Sequence, residues 1–308
     1  MNRRTFTQAL ATAAMSAAVP QLPAAPLNGA TPRQTTKQTT TAPAFPPSVM
    51  LWTVFTDLPF EERLAKVAEA GYSNIELVGE YKNWSEADFA RANAARKRLG
   101  IQFDATAGLK NGVSNPATAD AFLAELKEAR TPMETLSCPA MIVLSGDVVS
   151  GVSREAQHQA SIETLKRAAG LVEGRQIAGQ PVRLLLECIH VEERPKYFLT
   201  SANEAIDVVR AVNHPQVQFL YDIYHEQMGF GNLIEKLDKH IDVIGLIHIA
   251  DVPGRHEPGT GEINYGNIYR KLAQLNYRHM VAMEFRPSGD PVATLRAAKM
   301  LALSVTTA

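Results

Sequence analysis

From Ser48 onward, short and almost continuously apolar runs alternate with longer amphipathic stretches. The apolar runs fall at 48–55, 74–78, 101–106, 140–144, 183–187, 217–222, 243–249 and 280–285. Runs of this length with so little alternation fit parallel strands covered on both faces. The stretches between them carry a helical period. Residues 58–70 place Leu64, Val67 and Ala68 on one face and stop at Gly71. Ser85 is placed to cap a segment ending at Leu99-Gly100, with Glu86 and Asp88 in its first turn. Further helices are expected at 155–178, 202–212, 233–240, 265–275 and 291–303. Strand followed by helix, repeated eight times, predicts an α/β fold: a single (β/α)₈ barrel over 48–308. A doubly wound open sheet is the alternative. It would want a Gly-rich phosphate loop after the first strand, and residues 51–57 contain no glycine. No internal repeat or second domain is evident.

The chain ahead of the barrel has a different character. Arg3-Arg4 and Phe6 precede an uncharged apolar stretch from Ala9 to Val19, and small residues follow at Ala24-Ala25. That order predicts a signal peptide of the twin-arginine type over 1–25. The apolar stretch is shorter than the roughly 20 residues of a membrane span. Residues 26–47, rich in Thr, Pro, Gln and Ala, read as a solvated linker. The expectation is therefore a periplasmic protein, exported by the twin-arginine machinery and without a stable membrane anchor.

Composition narrows the function. Hydrophobic residues make up 45% and charged residues 20%, as in a soluble globular enzyme. Lys plus Arg is 31 against 32 for Asp plus Glu, a net charge of −1 that argues against a nucleic-acid partner. The two cysteines, Cys138 before the fourth strand and Cys188 after the fifth, fall at opposite ends of neighbouring strands, so no disulfide is expected.

The candidate chemistry lies where the last four strands end, the face on which such barrels carry their active sites. The fifth strand ends in Glu187, the sixth in Asp222, the seventh in His248 and the eighth in Glu284. One ionisable group alone at a buried strand end is expensive, and three carboxylates with an imidazole would repel one another without a cation. Oxygen ligands with one nitrogen suit Mn²⁺ or Mg²⁺, with Co²⁺ possible, and four protein ligands leave two positions for substrate oxygens. No organic cofactor is expected.

Several longer motifs carry a resemblance. They are Phe60-Glu-Glu-Arg63 with Ala70-Gly71-Tyr72, Glu187 with Arg194-Pro195-Lys-Tyr197, and Asp222-Ile-Tyr-His225-Glu-Gln227. The most specific are Arg255-His-Glu-Pro-Gly-Thr-Gly-Glu-Ile-Asn264-Tyr265 and Glu284-Phe-Arg-Pro287. Across essentially 49–287 the chain resembles the xylose-isomerase-like barrels and, within them, the hydroxypyruvate isomerase family. The resemblance implies that Glu187, Asp222, His248 and Glu284 hold a divalent metal and that Glu187 and Glu284 form the acid/base pair. It also implies a small hydroxycarbonyl substrate and, as in many relatives, a homodimer. Two departures stand out. Hydroxypyruvate isomerases commonly carry Gln where this chain has His248, whereas the related ketose 3-epimerases carry His. The loop Cys188-Ile-His190-Val-Glu-Glu replaces a more neutral stretch.

Other residues have two readings each. His225 is a substrate-oxygen partner or a loop histidine bonded to backbone. Arg255 pairs with a substrate carboxylate or bridges Glu257 or Glu262 at the rim. Glu76, ending the second strand, lines the substrate pocket or supports the site by hydrogen bonding. Trp52 and Phe55 pack in the core or wall the pocket. His190, Arg194 and Lys196 meet an anionic substrate or, the preferred reading, form a solvated loop; Gly259 and Gly261 are read as turn residues and Asn264 as a helix cap. The functional expectation is a metal-dependent isomerase of the hydroxypyruvate type. The rivals are a periplasmic ketose 3-epimerase or keto-sugar isomerase, and a non-catalytic sugar-binding barrel.

Overall fold

A computed structural model describes residues 44–306. The expected signal peptide and the linker up to residue 43 lie outside the described residues. The end of that expected linker belongs to the barrel: Phe45 is buried, with its ring 5.5 Å from that of Tyr269, and Pro47 pairs with Val281.

Eight parallel strands close on themselves, as the alternation of runs predicted. They are β1 (Pro47–Met50), β2 (Asn74–Leu77), β3 (Gln102–Thr106), β4 (Ala140–Leu144), β5 (Arg183–Glu187), β6 (Val217–Asp222), β7 (Ile244–Ile249) and β8 (Val281–Met283). Each pairs with its sequence neighbours, and β8 closes on β1. Around them lie α1 (Phe60–Glu69), α2 (Glu86–Leu99), α3 (Ala119–Leu136), α4 (Arg154–Val172), α5 (Ala202–Val212), α6 (Ile223–Gly229), α7 (Leu233–His240), α8 (Tyr265–Gln274) and α9 (Pro291–Thr306). No helix among the described residues is long and apolar enough to cross a membrane.

Period-two alternation sorts the strand side chains into two cores. Outward residues such as Leu184, Leu186, Phe219 and Ile247 pack beneath the helices. Inward residues Met50, Ala105, Ile142, Leu185, Leu220, Leu246 and Ala282 form a separate apolar layer inside the barrel.

The structure corrects several boundaries. β1 stops at Met50 rather than continuing to 55, because Leu51–Thr53 turns as a 3₁₀ segment and Phe55 takes φ 53°. β8 is likewise shorter than its apolar run. The third crossover, for which no helix boundaries were predicted, is α3, which continues through Pro132. Phe122, Leu126, Met133 and Leu136 keep one face buried, which outweighs the hydrogen bond that proline removes. α4 ends at Val172, before the expected 178, and a two-stranded hairpin turns at Ala178-Gly179, both with positive φ. Ser85 caps α2 reciprocally with Asp88, as expected. Cys138 and Cys188 are both free and buried.

Candidate active site

Glu187, Asp222, His248 and Glu284 each lie two residues beyond an inward-facing apolar residue: Leu185, Leu220, Leu246 and Ala282. The same alternation that builds the inner layer therefore aims all four into the barrel mouth. Asp222 stands opposite His248 in the β6–β7 register. All four are buried, and their ligand atoms lie within 4.8 Å of one another. The end of β5 is pinned by Tyr197, whose hydroxyl donates to the Glu187 carbonyl (3.1 Å) and accepts from Ser145 N–H (2.9 Å).

Asp222 divides its carboxylate between two tasks. Oδ1 caps α6 by accepting from the N–H groups of Tyr224 (2.7 Å) and His225 (3.2 Å). Oδ2 faces the cluster, 3.3 Å from Arg255 and 3.4 Å from His225 Nε2.

His248 is gripped at both nitrogens. Nδ1 lies 2.8 Å from Glu284 Oε2 and Nε2 lies 2.8 Å from Glu76 Oε2. Of the two readings open for Glu76, the structure supplies this bond to a candidate ligand. Burial disfavours the imidazolium, but Glu76 and Glu284 outweigh it and hold the His248 pKa well above its ordinary value. Burial also pushes the Glu187 carboxyl up, with Glu284 and Asp222 adding to it, to about 8. Glu284 goes the other way: burial would raise it, yet Arg255 and His248 hold it below the usual carboxylate range. Without a cation, the two glutamates of the cluster are thus driven apart, as close carboxylates are when they cannot all ionise.

Arg255 is buried, and it bridges neither Glu257 nor Glu262. Its guanidinium meets Glu193 through Nη1 (2.9 and 3.2 Å), and Glu284 (2.7 Å) and Asp222 (3.3 Å) through Nη2. Trp52 is half-buried at the mouth and donates Nε1–H to Glu284 Oε1 at 2.7 Å, so it walls the site. His225 is buried in the cluster rather than bonded through its ring to backbone. Its Nδ1 lies 2.7 Å from His190 Nδ1 and its Nε2 lies 3.9 Å from Glu187. His190 is itself 3% exposed, which corrects the solvated-loop reading, whereas Arg194 and Lys196 are exposed. With Glu193, His190 and His225 form a second group of potential ligands.

Asp251 and Glu226 are buried carboxylates that escaped the sequence reading, as did Asp104, which accepts from the Ser48 hydroxyl at 2.8 Å. Asp251 accepts from the N–H groups of Val252, Gly259, Gly261 and Ile263, and so ties the motif-rich loop after β7 into one shape. Gly261 is required there, since a Cβ would sit 1.9 Å from the Val252 carbonyl oxygen. Glu226 accepts from Ala202 N–H and pairs with Lys236. Neither had a sequence signal, because their partners are mostly main-chain groups. Asn264 caps α8 as expected.

The four-residue cluster fits a divalent cation. Three buried carboxylates converge with one imidazole, and the basic group paired with Glu187 is His225, at 3.9 Å. Glu187 would then keep its charge because a cation neutralises it. The second nitrogen of His248, held by Glu76, is the arrangement that orients a metal-bound histidine.

Residues 64–302 match the family described as xylose isomerase-like TIM barrel. The putative hydroxypyruvate isomerase of Danio rerio is 30% identical over 257 residues, covering 79% of this chain and 90% of the relative. The 2-oxo-tetronate isomerase of Pectobacterium atrosepticum is 29% identical over 245 residues, covering 77% and 90%. A crystal structure described as an AP endonuclease, family 2, from Brucella melitensis superposes with a TM-score of 0.73 at 27% identity, covering 82% of this chain and 97% of its own. The chain belongs to the xylose isomerase-like TIM-barrel family and is an isomerase of the group that includes the hydroxypyruvate isomerases.

Proposed function

We propose that the protein is a divalent-metal-dependent isomerase of a small α-hydroxycarbonyl compound, converting hydroxypyruvate to tartronate semialdehyde. The observation that carries this reading is the convergence of Glu187 and Glu284 with Asp222 and His248 in one buried cluster. A cation held by these four residues would act as a Lewis acid toward the substrate's carbonyl and hydroxyl oxygens. One of the two glutamates takes a proton from C3, and the other returns a proton to C2. The C3 hydroxyl proton passes to the C2 oxygen, for which His225, beside Asp222 and Glu187, is a suitable carrier. The apolar layer of Leu185, Leu220, Leu246 and Ala282 closes the site from below.

The test is solvent exchange. The full chain, stripped with chelator and reloaded with Mn²⁺, is incubated with hydroxypyruvate in D₂O and followed by NMR. Metal-dependent deuterium uptake at C3 with tartronate semialdehyde appearing is expected, and Glu187→Gln or Glu284→Gln should abolish it. Exchange that survives either substitution sinks the mechanism.

A ketose 3-epimerase is the second reading, favoured by a histidine, His248, where hydroxypyruvate isomerases commonly carry Gln. Exchange in a ketose but not in hydroxypyruvate would select it. The proposed workplace is the periplasm, reached through residues 1–25. A reporter fused to residues 1–47 should be exported, and Arg3→Lys with Arg4→Lys should retain it inside the cell.

A further inference from the structure

In the proposed binding mode the metal would take hydroxypyruvate's carbonyl and hydroxyl oxygens and leave its carboxylate to be held elsewhere, and the sequence nominates Arg255 for it. The structure commits Arg255 elsewhere. Nη1 holds both oxygens of Glu193, Nη2 holds Glu284 and Asp222, and Nε donates to the Glu284 carbonyl at 3.3 Å. Each of its three nitrogens is engaged by this chain's own oxygens, and the side chain is 6% exposed. A substrate anion at Arg255 would have to displace a carboxylate from a buried network, which is strongly unfavourable.

A second arginine stands beside it with the opposite properties. Arg286 lies two residues past Glu284 on the same face of the barrel. Its main chain is fixed: its N–H donates to the Arg255 carbonyl at 2.7 Å, and its carbonyl lies 2.7 Å from His256 Nδ1. Its side chain is exposed, and no ion pair among the described residues engages it. The guanidinium lies over the Trp52 ring, 5.7 Å from the centroid. That same indole donates to Glu284 Oε1 at 2.7 Å. One aromatic ring therefore separates an uncommitted cation from an acid/base glutamate.

Resting on the isomerase reading above, we propose that Arg286, steadied by Trp52, takes the carboxylate of the substrate and selects 2-oxo acids over neutral hydroxyketones. Glu193 in turn keeps Arg255 locked against the metal-ligand carboxylates and out of substrate binding. Guanidinium recognises carboxylate by paired N–H donors, and stacking on indole restricts the side chain before the substrate arrives.

The test compares hydroxypyruvate with dihydroxyacetone, in which a neutral hydroxymethyl group replaces the carboxylate. Both are followed by deuterium exchange on the Mn²⁺-loaded full chain. Arg286→Gln should raise the ratio of the two KM values, hydroxypyruvate over dihydroxyacetone, at least tenfold without changing Mn²⁺ affinity. Arg286→Lys, which keeps the charge, should recover part of it. An unchanged ratio, or KM values that rise together, would overturn the proposal. If the wild-type protein exchanges neither compound, the isomerase reading fails by itself. The anchor is then tested by calorimetric binding of hydroxypyruvate to Mn²⁺-loaded wild type and Arg286→Gln: tenfold weaker binding supports it, and equal binding overturns it.

Discussion

Glu76 Oε2 lies 2.8 Å from His248 Nε2, so a carboxylate on β2 reaches through the barrel to a candidate ligand on β7. The bond sets which imidazole nitrogen faces Glu284 and the metal-ligand cluster. Such outer partners tune metal affinity by about 10–100-fold. Glu76→Ala should weaken Mn²⁺ binding by a factor in that range, measured by competition with a fluorescent chelator, with the fold intact by circular dichroism. An unchanged affinity would reduce Glu76 to a packing residue.

Metal binding should depend on pH through Glu187. In the metal-free protein its carboxyl is pushed up to about 8, chiefly by burial and by Glu284. Below that pH an arriving cation must displace the Glu187 proton, and the His248 imidazolium, favoured by Glu76 and Glu284, must also give up a proton to ligate, so Mn²⁺ affinity rises with pH. Calorimetry in buffers of different ionisation enthalpy should show more protons released at pH 6.5 than at pH 9, the difference being the Glu187 proton.

The same group makes the metal-free protein less stable in alkali. Its folded pKa lies above the ordinary carboxyl value of 4.5, so its contribution is fully present below that value and is lost as pH rises through about 8. Glu284, held below its ordinary value, acts in the opposite sense, and its contribution is lost as pH falls. Melting temperatures of the stripped protein should decline between pH 5 and 9, and Mn²⁺ loading should flatten that decline.

Two glycine substitutions should have opposite effects. Gly261→Ala drives a Cβ into the Val252 carbonyl and breaks the bonds to Asp251. A loss of about 2 kcal/mol or more is expected, since it leaves buried polar groups unpaired. Gly170 is exposed within α4, and an added Cβ would meet nothing within 4 Å. Gly170→Ala should therefore gain about 0.5–1 kcal/mol. Urea unfolding of the two variants beside the wild type reads both.

Within the inner apolar layer, Leu185→Ala should cost about 2–5 kcal/mol, because the closed barrel has little freedom to collapse around the cavity. Its effect should extend to activity, since Glu187 stands on the same strand two residues above.

The eight-strand rhythm was legible because parallel strands buried on both faces must be apolar throughout, and the four ligand candidates were legible because each ends such a run. What escaped was set by contacts distant in sequence. Glu76 and His248 are separated by 172 positions, and no local pattern states which strands face each other across a barrel. His190 looked solvated beside Glu192 and Glu193, and only the return of α6 buries it against His225. Asp251 could not be told from any polar loop residue, since its partners are main-chain N–H groups that every sequence possesses. Pro132 sits inside α3, where burial of the helix face outweighed local propensity.

The four candidate ligands stand at the ends of β5, β6 and β7 and just past β8, while the loops leaving β3 and β4 contribute none of them. That division separates two evolutionary problems. Beyond Ser145, which holds Tyr197 and through it the end of β5, the loops after β3 and β4 can change in length and side chains and so admit larger or differently shaped substrates. The four candidate ligands stand on the opposite arc, so a change in the shape of the pocket rim can leave them in place.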